Sequence, residues 1–140
     1  MGKTLIVSLA LILGLNFLSL YYHLYPTIFW LDSLLHFLGG IWVAAFFFWF
    51  FTEEKIKIPN FLLKTVLAVA FVALIGVLWE FAEATFLNSL MAKIFGAQEV
   101  AASLSDTLSD LAFDLVGGLA LTAAYMSYRT YKSHRSYISR

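Results

Sequence analysis

Acidic residues recur at regular spacing in three separate stretches of this chain, and one histidine joins them. "LDSLLHFLGG" carries Asp32 and His36 four apart; "LWEFAEATF" carries Glu80 and Glu83 three apart; "SLSDTLSDLAFDLVGG" carries Asp106, Asp110 and Asp114 at every fourth position. Spacings of three and four put each set on one face of a helix. One imidazole with several carboxylates is a donor set for a divalent cation: Mg²⁺, Mn²⁺, Zn²⁺ or Fe²⁺, with the oxygen-rich part favouring Mg²⁺ or Mn²⁺. Such an ion polarises a phosphoryl or acyl oxygen and activates water. The expected metal ligands are His36, Glu80, Asp110 and Asp114. Glu83 and Asp106 are the expected catalytic carboxylates, supporting the ligands or acting as general base, and Asp32 stands behind the ligands. Plainer accounts exist for some positions. Asp32 and Asp106 sit near helix starts, where the helix dipole favours an acid, and Glu83 is near enough to a helix end to reach water.

The surroundings sharpen the chemistry. The chain has 140 residues, of which 61% are hydrophobic and only 13% charged, with mean hydropathy +0.84. Soluble domains carry roughly 25% charged residues, so the expected solvent here is lipid. Formal net charge is zero, which gives no footing for a nucleic-acid partner. There are no cysteines, which excludes disulfides and thiolate metal sites. A charge near a bilayer centre costs at least about 2.5–3.5 kcal/mol. No Lys or Arg falls within the expected spans at the depth of these acids. The carboxylates must therefore share protons, line a wet cavity or hold a metal cation.

Four stretches have the roughly 20 apolar residues that a spanning helix needs: 4–22, 27–51, 61–86 and 104–128. They predict a single all-α transmembrane domain, a bundle of four helices. A connection over 87–102 and a basic tail over 129–140 complete it. Pro26 suits the first turn of the second helix, Asn60 caps the third, and "SLSD" has the form of a capping box at the fourth. "LNSLMAKIF" has helical spacing, with Gly96 as its expected end. The first apolar run is too long for a signal-peptide core and ends on Tyr21, Tyr22 and Tyr25, as an interfacial belt does. "MGKTLI" lacks the Ser or Thr of a myristoylation signal.

If the helices alternate, eight of the nine Lys and Arg residues fall on one side and only Lys93 on the other. That asymmetry predicts cytoplasmic termini and an outward-facing 23–27 turn. The three acidic sets then lie in the outer half of a bacterial or archaeal plasma membrane, among membrane lipids. Gly39-Gly40 and Gly117-Gly118 each follow an ionisable residue by one turn, and small residues let helices approach closely in lipid. A crossing of the second and fourth spans at these pairs would set His36 beside Asp114. Asn16 is expected to make an interhelical hydrogen bond. "IWVAAFFFWFF" reads as lipid-facing surface.

No H-E-x-x-H, G-x-S-x-G or P-loop occurs. Together "LDSLLHFLGG", "LWEFAE" and "DTLSDLAFDLVGG" resemble the motifs of the small VanZ-like and YjdF-like integral membrane proteins, over about residues 28–120. The resemblance implies membrane location, a role in cell-envelope stress or glycopeptide resistance, and a polar signature of Asp32, His36, Glu80, Glu83, Asp106, Asp110 and Asp114. It supplies no reaction. Three functions fit the residues. The first is a metal-dependent hydrolase or transferase acting on a lipid or lipid-linked envelope substrate. The second is a proton- or cation-coupled transporter, for which a homo-oligomer is expected. The third is a non-catalytic adaptor whose acids bond a partner's basic residue.

Overall fold

Each apolar run becomes a helix, because lipid leaves the backbone no other partner than itself. The computed structural model of the chain describes residues 2–54, 58, 60–95 and 103–138. The elements are α1 (Gly2–Tyr21), α2 (Leu31–Glu53), α3 (Phe61–Ala82), a π-helical turn (Glu83–Leu87), α4 (Asn88–Phe95) and α5 (Leu104–Ile138). Among the described residues there is no strand. Four segments are long and apolar enough to cross a membrane: Gly2–Tyr21, Leu31–Thr52, Phe61–Leu87 and Leu104–Lys132. Expectations resting on Lys55, Lys57, Pro59, Gly96 and Arg140 lie outside the described residues.

The caps follow the side-chain chemistry. Asn60 Oδ1 accepts from the backbone N–H groups of Leu62 (2.8 Å) and Leu63 (3.3 Å). Ser103 Oγ accepts from the N–H of Asp106 at 3.1 Å. Two boundaries differ from the sequence pattern. The second helix starts at Leu31, four residues later than its apolar run. Leu24–Ile28 close a separate turn around Pro26, in which the Thr27 and Ile28 N–H groups both donate to the Leu24 carbonyl. His23, at φ 52°, reverses the chain just before it. At the other end α5 does not stop near Tyr128 but continues to Ile138, since no Gly or Pro follows Gly118 to end it. At about 1.5 Å per residue that helix is about 52 Å long, so its basic last turns project past a roughly 30 Å hydrocarbon core.

Helices α2, α3 and α5 pack against one another, and α1 lies against α2. α5 runs parallel to α2 and antiparallel to α3. Along α3 the buried residues are Ala68, Val72, Gly76 and Glu80. Along α5 they are Asp110, Asp114, Gly117, Gly118, Thr122 and Met126. Each helix thus presents a stripe repeating every fourth residue, the spacing of ridges that interdigitate. Gly76 meets Asp114, Val72 meets Gly118, and Ala68 shares a core cluster with Met126. α2 and α5 touch at backbone level. A Cβ on Gly40 would collide with the Asp114 carbonyl, and one on Gly117 with the Phe37 carbonyl.

The aromatic run of α2 is not all lipid-facing. Phe47 and Phe48 are 3% exposed and form a core with Ala68 and Met126, and Phe48 stacks on Tyr125 at 4.1 Å. At this period a helix cannot show a six-residue run to one side only. Trp42 ties α1 in place by donating its indole N–H to the Leu5 carbonyl at 2.8 Å.

Two alanine substitutions separate close approach from helix propensity. Gly117→Ala should destabilise the detergent-solubilised protein by about 1–3 kcal/mol, the usual penalty of overpacking. Gly14, which has nothing within 4 Å of its added Cβ, should tolerate the same change or gain up to about 1 kcal/mol. Thermal unfolding of both variants checks this.

Candidate metal centre

The polar residues of three helices meet at the end of the bundle that carries the 22–30 turn. His36 enters from α2, one and a half turns after the helix begins, and is 7% exposed. Glu80 comes from the last turn of α3, and Asp110 and Asp114 from the second and third turns of α5. All three are at most 9% exposed. The two imidazole nitrogens face different groups. Nε2 looks toward Glu80 Oε1 (3.8 Å), Asp110 Oδ2 (3.9 Å) and Asp32 Oδ1 (4.0 Å). Nδ1 lies 3.4 Å from Asp114 Oδ2. Glu83, the first residue of the π turn, brings a carboxylate oxygen within 4.8 Å of donor atoms of His36 and Glu80. π-Turns of this kind inside α-helices are frequent at functional sites.

These separations suit a shared cation. Two donor atoms bound at about 2.1 Å to one ion lie roughly 3.0 Å apart when adjacent and roughly 4.2 Å apart when opposite. The Nε2–carboxylate distances lie nearer the upper limit and are too long for hydrogen bonds; since only one donor can stand opposite Nε2, a shared ion would draw the others inward by up to about 1 Å. Two overlapping triads have donor atoms within 4.8 Å of one another: Asp32, His36 and Asp110; and His36, Glu80 and Glu83. Glu80 Oε1 is buried and has no hydrogen-bond partner among the described residues. An acceptor left so in an apolar bundle is costly unless a cation or proton satisfies it.

The seven acid and imidazole positions singled out in the sequence separate into three groups. His36 stands between Asp32 and Asp110 on one side and Glu80 and Glu83 on the other, and these five make the first group. Asp114 stands on the opposite side of the imidazole, where it accepts from Nδ1–H in the tautomer that leaves the Nε2 lone pair free. A carboxylate in that place orients a metal-binding histidine and raises its basicity. Asp106 is exposed and joins neither triad; its negative charge acts on Asp32 and Asp110 from the rim. The acid at every fourth position is therefore an exposed entrance residue followed by two buried ones.

Other contributors carried weak sequence signals. Gly76, an isolated glycine in a long apolar run, makes room for Asp114: a Cβ there would stand 2.6 Å from Asp114 Oδ2. Thr107, one helical turn before Leu111, lies beside the Glu80 carboxylate. Tyr25, read in the sequence as part of an interfacial belt, sits over the site. Burial, and then the negative charge of Asp32, Glu83 and Asp110, raises its phenol above the ordinary tyrosine value, so it remains a hydrogen-bond donor at neutral pH.

Four apolar spanning helices around a buried His/carboxylate cluster define a multi-pass membrane protein with a candidate metal centre. Within that class, the chain belongs to the family described as "Predicted membrane protein (DUF2238)", which residues 1–131 match. It is 35% identical over 108 residues to an uncharacterized protein of Thermotoga maritima, a match covering 75% of this chain and 51% of that relative. The chain thus spans about half the length of the curated relative it matches. No solved structure matches it.

The arrangement around Asp114 has a spectroscopic consequence. In metal-free protein the His36 Nδ1–H should be hydrogen-bonded to the Asp114 carboxylate, read by ¹⁵N NMR of labelled histidine. Asp114→Ala should abolish that hydrogen bond. Gly76→Ala, which removes no polar group, should shift the same signals by displacing the Asp114 carboxylate. Unchanged His36 signals in both variants would contradict the pairing.

Proposed function

We propose that this protein holds a divalent cation between His36 Nε2 and the carboxylates of Asp32, Glu80 and Asp110, with Glu83 as general base and Asp114 orienting the imidazole. The observation that carries the reading is the convergence of these groups on one ring nitrogen at 3.8–4.0 Å, with no Lys or Arg side chain in ion-pair contact with them among the described residues. A metal supplies the missing positive charge and the Lewis acidity for hydrolysis or transfer at a phosphoryl or acyl centre. We further propose that both termini are cytoplasmic, which puts the centre beneath the outer leaflet. The substrate is then a lipid or lipid-linked precursor of the cell envelope. The likeness of the three polar motifs to VanZ-like and YjdF-like proteins agrees with an envelope role.

Passage of an ion through a single chain is disfavoured by what lies beyond the glycine crossing. There the interior between α2, α3 and α5 is packed with Ala44, Phe47, Phe48, Ala68 and Met126. The polar groups form a pocket with one polar end, not a file of relays across the bundle.

Two experiments test the proposal. Purified protein stripped with EDTA should regain thermal stability with Mn²⁺, Zn²⁺ or Mg²⁺, and elemental analysis should find about one ion per chain. Asp110→Asn should lose both effects, and a wild type indifferent to every metal would overturn the assignment. For orientation, the cysteine-free chain allows single introduced thiols. His23→Cys should react with an impermeant maleimide on intact cells, and His134→Cys only after lysis.

A further inference from the structure

A cavity of about 140 Å³ runs from the candidate metal centre into the apolar part of the bundle, walled by α1, α2 and α3 with Asp114 of α5 at its head. Leu9, Leu13, Val43, Val72 and Ile75 line its deep part; Asn16, His36 and Asp114 line its upper part. The register of α1 against α2 sets this order. Leu5 is level with Trp42, so residues later in α1 lie progressively nearer the centre. An empty apolar cavity of about this size accepts a benzene-sized guest. That corresponds to a short stretch of hydrocarbon, not a headgroup.

Asn16 gives the second observation. Its side chain is 9% exposed, lines the cavity and has no hydrogen bond to any described residue. An amide that faces an apolar void without a partner is unfavourable. A ligand bearing an oxygen at that height would satisfy it. The cavity is thus polar at the top and apolar below, the polarity order of a lipid in the leaflet nearest the site.

We propose that the cavity is the slot for one hydrocarbon chain of a membrane lipid, with the oxygen that links chain to headgroup meeting the Asn16 amide. Given the function proposed above, this places the chain's ester linkage beside the metal centre and defines the substrate class as an amphiphile with an oxygen ester at the head of an alkyl or prenyl chain. The slot itself holds hydrocarbon whether or not metal is bound.

The test is native mass spectrometry of the full chain released from nanodiscs containing phosphatidylglycerol and a polyprenyl monophosphate. The wild type should retain one lipid per chain, and its mass tells the phospholipid from the prenyl phosphate. Leu13→Trp, which fills the slot, should lower retention by about tenfold or more. Leu11→Trp adds the same bulk to the outer side of the helix, where Leu11 is 63% exposed, and should retain lipid like the wild type. Asn16→Leu should weaken retention while leaving the slot apolar. Asp110→Asn should keep the lipid while losing the metal response, which separates failure of this proposal from failure of the metal assignment. If Leu13→Trp does not fold, Ile75→Phe asks the same question from α3. No retained lipid in the wild type, or equal retention in wild type and both filling variants, would overturn the slot.

Discussion

Negative charge with no Lys or Arg paired to it among the described residues governs this structure. Asp32, Glu80, Glu83, Asp110 and Asp114 are carried into one end of an apolar bundle, and His36 is the sole ring among them that can carry a proton or bind a metal. In water such a cluster would disperse. In a low-dielectric bundle mutual repulsion and lost hydration act together. The cluster persists only if shared protons or a cation within it offset that charge. A protonated imidazole offsets one charge. A divalent ion offsets two and satisfies several oxygens at once, which is why the donor set fits a metal better than a salt bridge.

Steric demands and chemical demands are met by the same repeat. The every-fourth-residue stripe of α5 carries Asp110, Asp114, Gly118, Thr122 and Met126 inward, and that of α3 answers with Glu80, Gly76, Val72 and Ala68. Small residues occupy the places where backbones cross, so the acids are delivered to within donor distance of His36. A methyl group added at Gly40 or Gly76 would meet Asp114, and one added at Gly117 would meet the Phe37 carbonyl. Close approach thus comes first, and the geometry of the site follows from it. The apolar plug beyond the crossing then closes the interior between α2, α3 and α5 toward the other end.

Much of this was legible in residue type and period. The four spans, the Asn60 and Ser103 caps and the grouping of acids by helix face follow from rules local to one helix. So does the choice of glycine pairs as a crossing point, since lipid favours small residues where helices meet. What escaped depends on contacts between helices. Periodicity alone does not distinguish Asp106 at the rim from Asp110 one turn below, or a carboxylate on Nε2 from one on Nδ1. Phe47 and Phe48 are as apolar as lipid itself, so composition cannot say whether they face acyl chains or Met126. Tyr25 and Thr107 became part of the site because the 22–30 turn and the start of α5 fold over it. The later start of α2 arose from a local turn around Pro26 that apolarity does not encode.

The bundle divides into a firm part and a loosely held one, and the division bears on how a lipid would enter. α2, α3 and α5 share the core clusters and the glycine crossing. α1 buries only Leu5, Asn16 and Ser19 and is attached through α2, with the Trp42–Leu5 hydrogen bond near its first turns. Elements with few buried contacts are the ones that open at least free energy. The short 22–30 turn joins the Asn16 end of α1 to α2 beside the carboxylate cluster, and the cavity is polar at that end. A chain entering sideways between α1 and α3 would therefore meet the carboxylate cluster with its oxygen-bearing end, while the three-helix core that positions the ligands stays undisturbed.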